Sequence, residues 1–328
     1  MQESLQRRCD LFVENTQLIK EGFRWESGYL FPACAEMLTA AGRRADIPAM
    51  KDCRALLKQE TGFFSNFRGI SEVVTLTKLS VSQNPQERLA RIQRVYAALK
   101  EWFWNSEFLV LAAAIVVDLA EPAAYVELAA RAREIYNQMK SNHPFLTGGD
   151  DSAFAVLFAL SDLTPGDADA EMERCYTLLK NAFFSGNALQ SLSHVLALGQ
   201  APAAQKCERV TALFQLLKDA GRKYGTGYEL PTLGVLALLD TDLAELAQRM
   251  IEVDAFLKAQ KGFGSVFGIG SRQRLMYAGM LTMDDAVPQT TIQAAALQGT
   301  MSLIIAQQAA VCASMAASTA AASAAASS

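Results

Sequence analysis

The sequence predicts an all-α protein of seven tandem helical hairpins, about 40 residues each, curved strongly into an α/α superhelix or closed into an α/α toroid. Three observations predict it: a lysine cadence, an amphipathic segment ahead of each lysine, and an almost wholly apolar segment after it. Lys20, Lys58, Lys100, Lys140, Lys180, Lys218 and Lys258 stand 38, 42, 40, 40, 38 and 40 residues apart, and only twelve lysines exist in the chain. Most of its lysines therefore obey one period.

Ahead of each lysine the apolar residues step at helical intervals, as in Ile92, Val95, Tyr96, Leu99 and Trp102, or Met172, Cys175, Tyr176, Leu179 and Phe183. That spacing marks a helix with one buried stripe. A lysine in its last turn meets the negative end of the helix dipole, which is reason enough for the recurrence. Five to eight residues later comes a hydroxyl: Ser27, Ser65, Ser106, Thr147, Ser185, Thr226 or Ser265. These are expected as N-caps of a second helix. Aromatic residues usually sit just before them (Phe63-Phe64, Phe103-Trp104, Phe183-Phe184, Phe263) and are expected to pack as staples against that helix. The second helices, FLVLAAAIVV at 108–117 and LGVLALL at 233–239, are apolar nearly all round and must lie inside.

Composition narrows the function classes. Hydrophobic residues make up 51 % of the chain, enough for a continuous core, and the formal charge is −4. A duplex binder needs a basic face, and no Lys/Arg cluster exceeds the pairs Arg7-Arg8 and Arg43-Arg44, so no nucleic acid is expected. Cys9, Cys34, Cys53, Cys175, Cys207 and Cys312 form no CxxC pair and mostly sit on apolar helical patterns, as reduced core cysteines do. Neither metal nor cofactor is expected. The polar, periodic N-terminus MQESLQRRCDLFVENTQLIK lacks an apolar secretory stretch, and the cytoplasm is the expected compartment.

The repeat is expected over 1–285. The uncharged, Ala/Ser-rich segment 286–328 forms a separate tail, with a helix over 291–317 expected to lie in the concave or central space. A membrane span there is disfavoured by Gln307-Gln308, many serines and the lack of flanking Lys/Arg. No membrane partner is expected.

Polar residues at the starts of the inner helices are the candidate site. Aligned on Val74, Val156, Val195 and Val235, the units bring Arg68, Asp150 and Glu229 to one level and Asp151 and Gln190 one residue on. Arg272 and Arg274 lie a little deeper in the last unit. Stacked hairpins would set these on one rim, with Asp150, Asp151 and Glu229 available for acid–base work and Arg68, Gln190, Arg272 and Arg274 for ligand binding. The plainer reading is that acids favour helix N-termini and arginines balance them. His194 lies in an apolar helix and is a further catalytic candidate, or a hydrogen-bonded structural histidine. His143 in Asn-His-Pro-Phe reads as a turn element. Gly262, Gly264, Gly268 and Gly270 follow a helix rather than a strand and lack GxxxxGK[ST], so they read as a connection.

The segments FFSNFRG (63–69), NHPFLTGGDD (142–151), NALQSLSHVLALG (187–199), YELPTLGVLALLD (228–240), QKGFG (260–264) and RQRLMYAGML (272–281), with IIAQQAA before the tail, resemble a bacterial family whose domain has no assigned function. The resemblance runs end to end. It implies a shared fold and carries over no activity, cofactor or site residue. The functional expectation is a binding or scaffold protein holding a small molecule, peptide or protein at the polar mouth. The alternative is an α/α-toroid hydrolase or lyase using paired carboxylates there.

Overall fold

Each amphipathic segment forms a helix and folds back into an apolar one. The computed structural model describes residues 1–69, 72–264 and 269–283. The tail, Ser265, Gly268 and Cys312 lie outside the described residues. Within them the helices are α1 (Glu3–Gly22), α2 (Leu30–Ala40), α3 (Ile47–Glu60), α4 (Glu72–Ser80), α5 (Pro85–Lys100), α6 (Glu107–Leu119) and α7 (Tyr125–Asn142). There follow α8 (Asp151–Ala159), α9 (Pro165–Leu179), α10 (Gly186–Ala197), α11 (Ala203–Asp219), α12 (Leu230–Ala237), α13 (Leu243–Lys258) and α14 (Ser271–Met283). No strand occurs among the described residues, and the protein is all-α.

Odd helices are the outer ones. They bury a single stripe, such as Leu89, Ile92, Val95 and Leu99 in α5, and four start on a side-chain cap: Asp46, Asn84, Thr164 and Asp242. Even helices are enclosed on every side. All of Leu109–Val117 in α6, all of α8 and all of α12 are buried. Gly234 in α12 permits one close approach, since a Cβ there would lie 2.7 Å from Leu192 Cδ1 of α10.

Each odd helix packs on the even helix that follows and on the next odd helix. The series returns on itself, because α1 also packs on α13 and α14, and α14 on α2. Arg8 donates to the Leu281 carbonyl at 2.7 Å, and the Phe12 ring meets Phe263 and Tyr277 with centroids 5.6 and 5.4 Å apart.

Two rims result. At one, arginines on outer helices cap their inner partners: Arg91 donates to Val117, Arg131 to Ser161, and Arg209 to Ala237, Leu239 and Thr241. Val117 and Ala237 lie in the last turns of α6 and α12, where no intrahelical amide reaches their carbonyls, and Ser161, Leu239 and Thr241 follow the ends of α8 and α12.

At the other rim the outer helices end and the inner ones begin, and there an aromatic or basic group clasps each of the first five hairpins to the next. Arg54 lies over the Phe23 ring, and Phe67 meets Tyr96, Phe103 meets Tyr136, His143 meets Tyr176 and Phe183 meets Phe214. The staple expectation needs correction on this point. Phe103 and Phe183 are buried against the neighbouring outer helix, whereas Phe63, Phe64, Trp104 and Phe184 stand in solvent. Two bulky rings in one short turn cannot both face a neighbour that offers one ring.

The expected serine caps are realised in part. Ser106 accepts from the Leu109 amide and Ser65 caps a 3-10 turn over Asn66–Arg68. Thr147 instead donates to the Met139 carbonyl. Five cysteines, Cys9, Cys34, Cys53, Cys175 and Cys207, are free and buried. Among the described residues no helix is long and apolar enough to cross a membrane.

Candidate functional site

The turn between α7 and α8 is held from below. Lys140 donates to the carbonyls of Pro144 at 2.6 Å and Thr147 at 2.7 Å, and Tyr136 donates to Gly148 at 3.2 Å. Thr147 reaches back to Met139 at 3.0 Å, and His143 Nε2 lies 2.7 Å from Glu173 Oε1. So fastened, the turn aims Asp151 inward at the first position of α8.

Asp151 is buried, and its Oδ2 accepts from the Gly148 amide at 2.8 Å. Burial is the main cause that pushes its carboxyl from 3.8 up to about 7; neighbouring Asp150 adds to the rise, while the Gly148 hydrogen bond and Lys140 oppose it. On α10, Gln190 and His194 are one helical turn apart and therefore share a face. Gln190 donates to Thr147 Oγ1 at 2.9 Å, and His194 places Nδ1 3.6 Å from Asp151 Oδ1. The rings of Phe154 and Phe158 stand edge-on to His194 with centroids 5.2 and 6.4 Å away.

This pair is not an ion pair. Full burial drives the imidazole from 6.5 down to about 3, with His143 a lesser cause, so His194 is neutral around neutral pH. Its Nδ1 has no hydrogen-bond partner, and 3.6 Å is too long for one with Asp151. A carboxyl that titrates near neutrality beside an unsatisfied imidazole nitrogen can pass or hold a proton if the gap closes by less than an ångström.

The other nominated residues are dispersed. Asp150 and Glu229 occupy equivalent N-cap positions of α8 and α12, neither with a side-chain cap bond. Glu229 is buried against Gly225, where a Cβ would lie 2.2 Å from its Oε2, and its charge bears on Tyr224. The charged groups that bear on Asp151 are Asp150 and Lys140. Burial raises the Tyr224 hydroxyl, whose oxygen is 2.7 Å from Thr232 Oγ1.

Arg68 lies over the Phe63 ring at 5.3 Å. Arg272 is exposed at the start of α14. Arg274 is buried, donating to Asp254 Oδ1 at 2.7 Å and to the Phe263 carbonyl at 3.0 Å. Among the described residues no three His, Cys, Asp or Glu side chains gather as a metal ion requires.

A cavity of about 700 Å³ opens at the same rim, where the first and last hairpins meet. Lys20, Arg24 and Lys261 face it against Glu21, and Tyr29, Phe31 and Phe263 supply apolar wall. Gln17 and Gln273 add amides. None of the eight residues nominated from the sequence lines it. Lys20 belongs to the lysine cadence and reads as a dipole partner; nothing in a linear chain brings it beside Lys261.

Uncharacterized protein YeaA of Bacillus subtilis (strain 168) is 24 % identical over 205 residues, which cover 60 % of this chain and 61 % of that protein. The match thus spans about three-fifths of the relative's length. No solved structure matches. The family model described as protein of unknown function (DUF4003) matches residues 15–310, nearly the whole chain, and the chain belongs to that family.

Proposed function

We propose that this is a cytoplasmic helical-repeat binding protein that takes a small molecule with an anionic group and an apolar body. The cavity where the first and last hairpins meet carries the reading. Its volume falls within the roughly 300–1,000 Å³ of small-molecule sites. Three cations against one anion favour a phosphate or carboxylate, and Tyr29, Phe31 and Phe263 suit an apolar remainder. It lies at the N-terminal ends of α2 and α14, the rim at which a polar pocket is expected from the inner-helix starts.

Thermal shift of the full chain against phosphorylated and carboxylated metabolites, with neutral analogues as controls, tests it. Anionic compounds should raise the melting temperature, salt should weaken the effect, and Arg24→Ala with Lys261→Ala should remove it. A panel in which no anionic compound shifts the wild type, or in which the double variant responds as the wild type does, ends the reading.

A second reading, an α/α-toroid enzyme, draws on Asp151, a carboxylate whose titration is moved towards neutrality, with His194 beside it. It calls for turnover of a bound compound that Asp151→Asn abolishes without loss of fold.

A further inference from the structure

The first five hairpins each present a bare aromatic side chain at one rim. Trp25, Phe64, Trp104, Phe145 and Phe184 are all at least 93 % exposed. One exposed ring is ordinary; one per hairpin over five consecutive hairpins is a surface. Their common level follows from the clasps beside them. In each of these turns a neighbouring side chain (Phe23, Phe67, Phe103, His143 or Phe183) meets a residue four positions before the closing lysine of the next outer helix. The fold uses that neighbour to join the hairpins and leaves the bare ring almost wholly in solvent.

The lysine cadence sits at the same rim. Lys20, Lys58, Lys100, Lys140, Lys218 and Lys258 close their helices in the last turn, Lys180 is the C-cap of α9, and all seven are exposed. Between the helix ends, the seven turns of this rim carry six Lys or Arg and four Asp or Glu. The six turns at the opposite rim carry two and five. In a chain of net charge −4, the turns at the aromatic-tipped edge are thus net basic and those at the other edge net acidic.

From this placement we infer that the aromatic rim docks on an anionic lipid surface. Packed helices usually lie about 8–10 Å apart, so rings carried by the turns of successive hairpins make separate tips rather than the floor of a groove. A groove suits a peptide; separate tips at one level suit a soft, flat interface that admits all of them together. Trp and Phe at headgroup depth with Lys alongside is the composition that anionic membrane interfaces accept. The sequence argues against a segment that crosses the bilayer, which is a different matter from an edge that rests on it.

Flotation of the full chain with phosphatidylcholine vesicles containing phosphatidylserine, against phosphatidylcholine alone, tests the inference. The wild type should float with the anionic vesicles, release at high salt, and show blue-shifted emission from Trp25 and Trp104. Combining Trp25→Ser, Trp104→Ser and Phe184→Ser should weaken binding by about tenfold or more, with the melting temperature unchanged. Lys58→Glu with Lys180→Glu provides a second probe that leaves every ring in place, and it too should weaken binding. Wild type that stays unbound at low salt, or binding that survives both variant sets, overturns the inference. So does a self-associated wild type that the serine variant turns monomeric, with no affinity for either vesicle.

Discussion

Asp151 Oδ1 and His194 Nδ1 face each other across 3.6 Å in a buried gap between α8 and α10, with the imidazole uncharged around neutral pH. Asp151 accepts from the Gly148 amide, and the rings of Phe154 and Phe158 lie against His194. The pair is therefore a place where pH acts on the fold with two opposite signs.

For Asp151 the folded value lies near 7 and the ordinary value is 3.8, so between them the folded chain holds more protons than the unfolded one. Its contribution to stability is greatest below that window and declines as pH rises through it. His194 is depressed from 6.5 to about 3, and its contribution is present above 6.5 and lost as pH falls towards 3. Asp151→Asn keeps the acceptor for Gly148 and offers an N–H to His194. The variant should melt higher than wild type at pH 8, lose most of that advantage by pH 5 and the rest below pH 3.8. A melting difference that is flat across this range would falsify the assignment of Asp151 as the group that titrates.

Neighbouring phenylalanines should respond very differently to truncation. Phe183 is 2 % exposed and edge-on to Phe214, so Phe183→Ala should cost about 3–5 kcal/mol in denaturant unfolding. Phe184 is bare, and Phe184→Ala should stay within about 0.5 kcal/mol of wild type. Equal costs at the two positions would mean that the exposed ring is packed in solution.

Arg274 and Asp254 form a buried pair closed by the Phe263 carbonyl. Arg274→Ala leaves a carboxylate in the interior, answered among the described residues by the Arg222 guanidinium 3.6 Å away. The expected loss is about 3–5 kcal/mol. Adding Asp254→Ala should restore part of it, because the uncompensated charge goes too. No recovery in the double variant would show that the loss arises from packing.

Where Gly234 lets α12 approach α10, any side chain meets Leu192 and Val195. Gly234→Val should destabilise by about 1–3 kcal/mol through overpacking. Hydrogen exchange should quicken first in these two helices, and protection that stays uniform there would show that the interface yields without strain.

Much of the architecture was legible because it is periodic. A lysine at a helix end, a stripe at 3.6-residue spacing and an apolar partner helix are local consequences of chain geometry, and they repeat. The inner-helix starts were legible for the same reason, and Asp150 and Glu229 do sit at equivalent N-caps. Gln190 and His194 could have been linked by their four-residue spacing, which puts both on one face, although what they face lies on another hairpin.

The aromatic pairs show where local reading stops. Phe103-Trp104 and Phe183-Phe184 each hold two apolar rings in sequence, and nothing in hydrophobicity tells which one turns inward. That choice depends on whether Tyr136 or Phe214 of the next hairpin stands within reach.

Helix class, repeat length and the inside–outside division lay in the order of residues, since each depends on neighbours a few positions away. Which acid meets His194, which lysines share a cavity and which rings meet water were settled only when distant hairpins came into contact. Burial and charge proximity are properties of space, and the return of α14 to α1 brings Lys20 and Lys261, from opposite ends of the repeat, to one cavity.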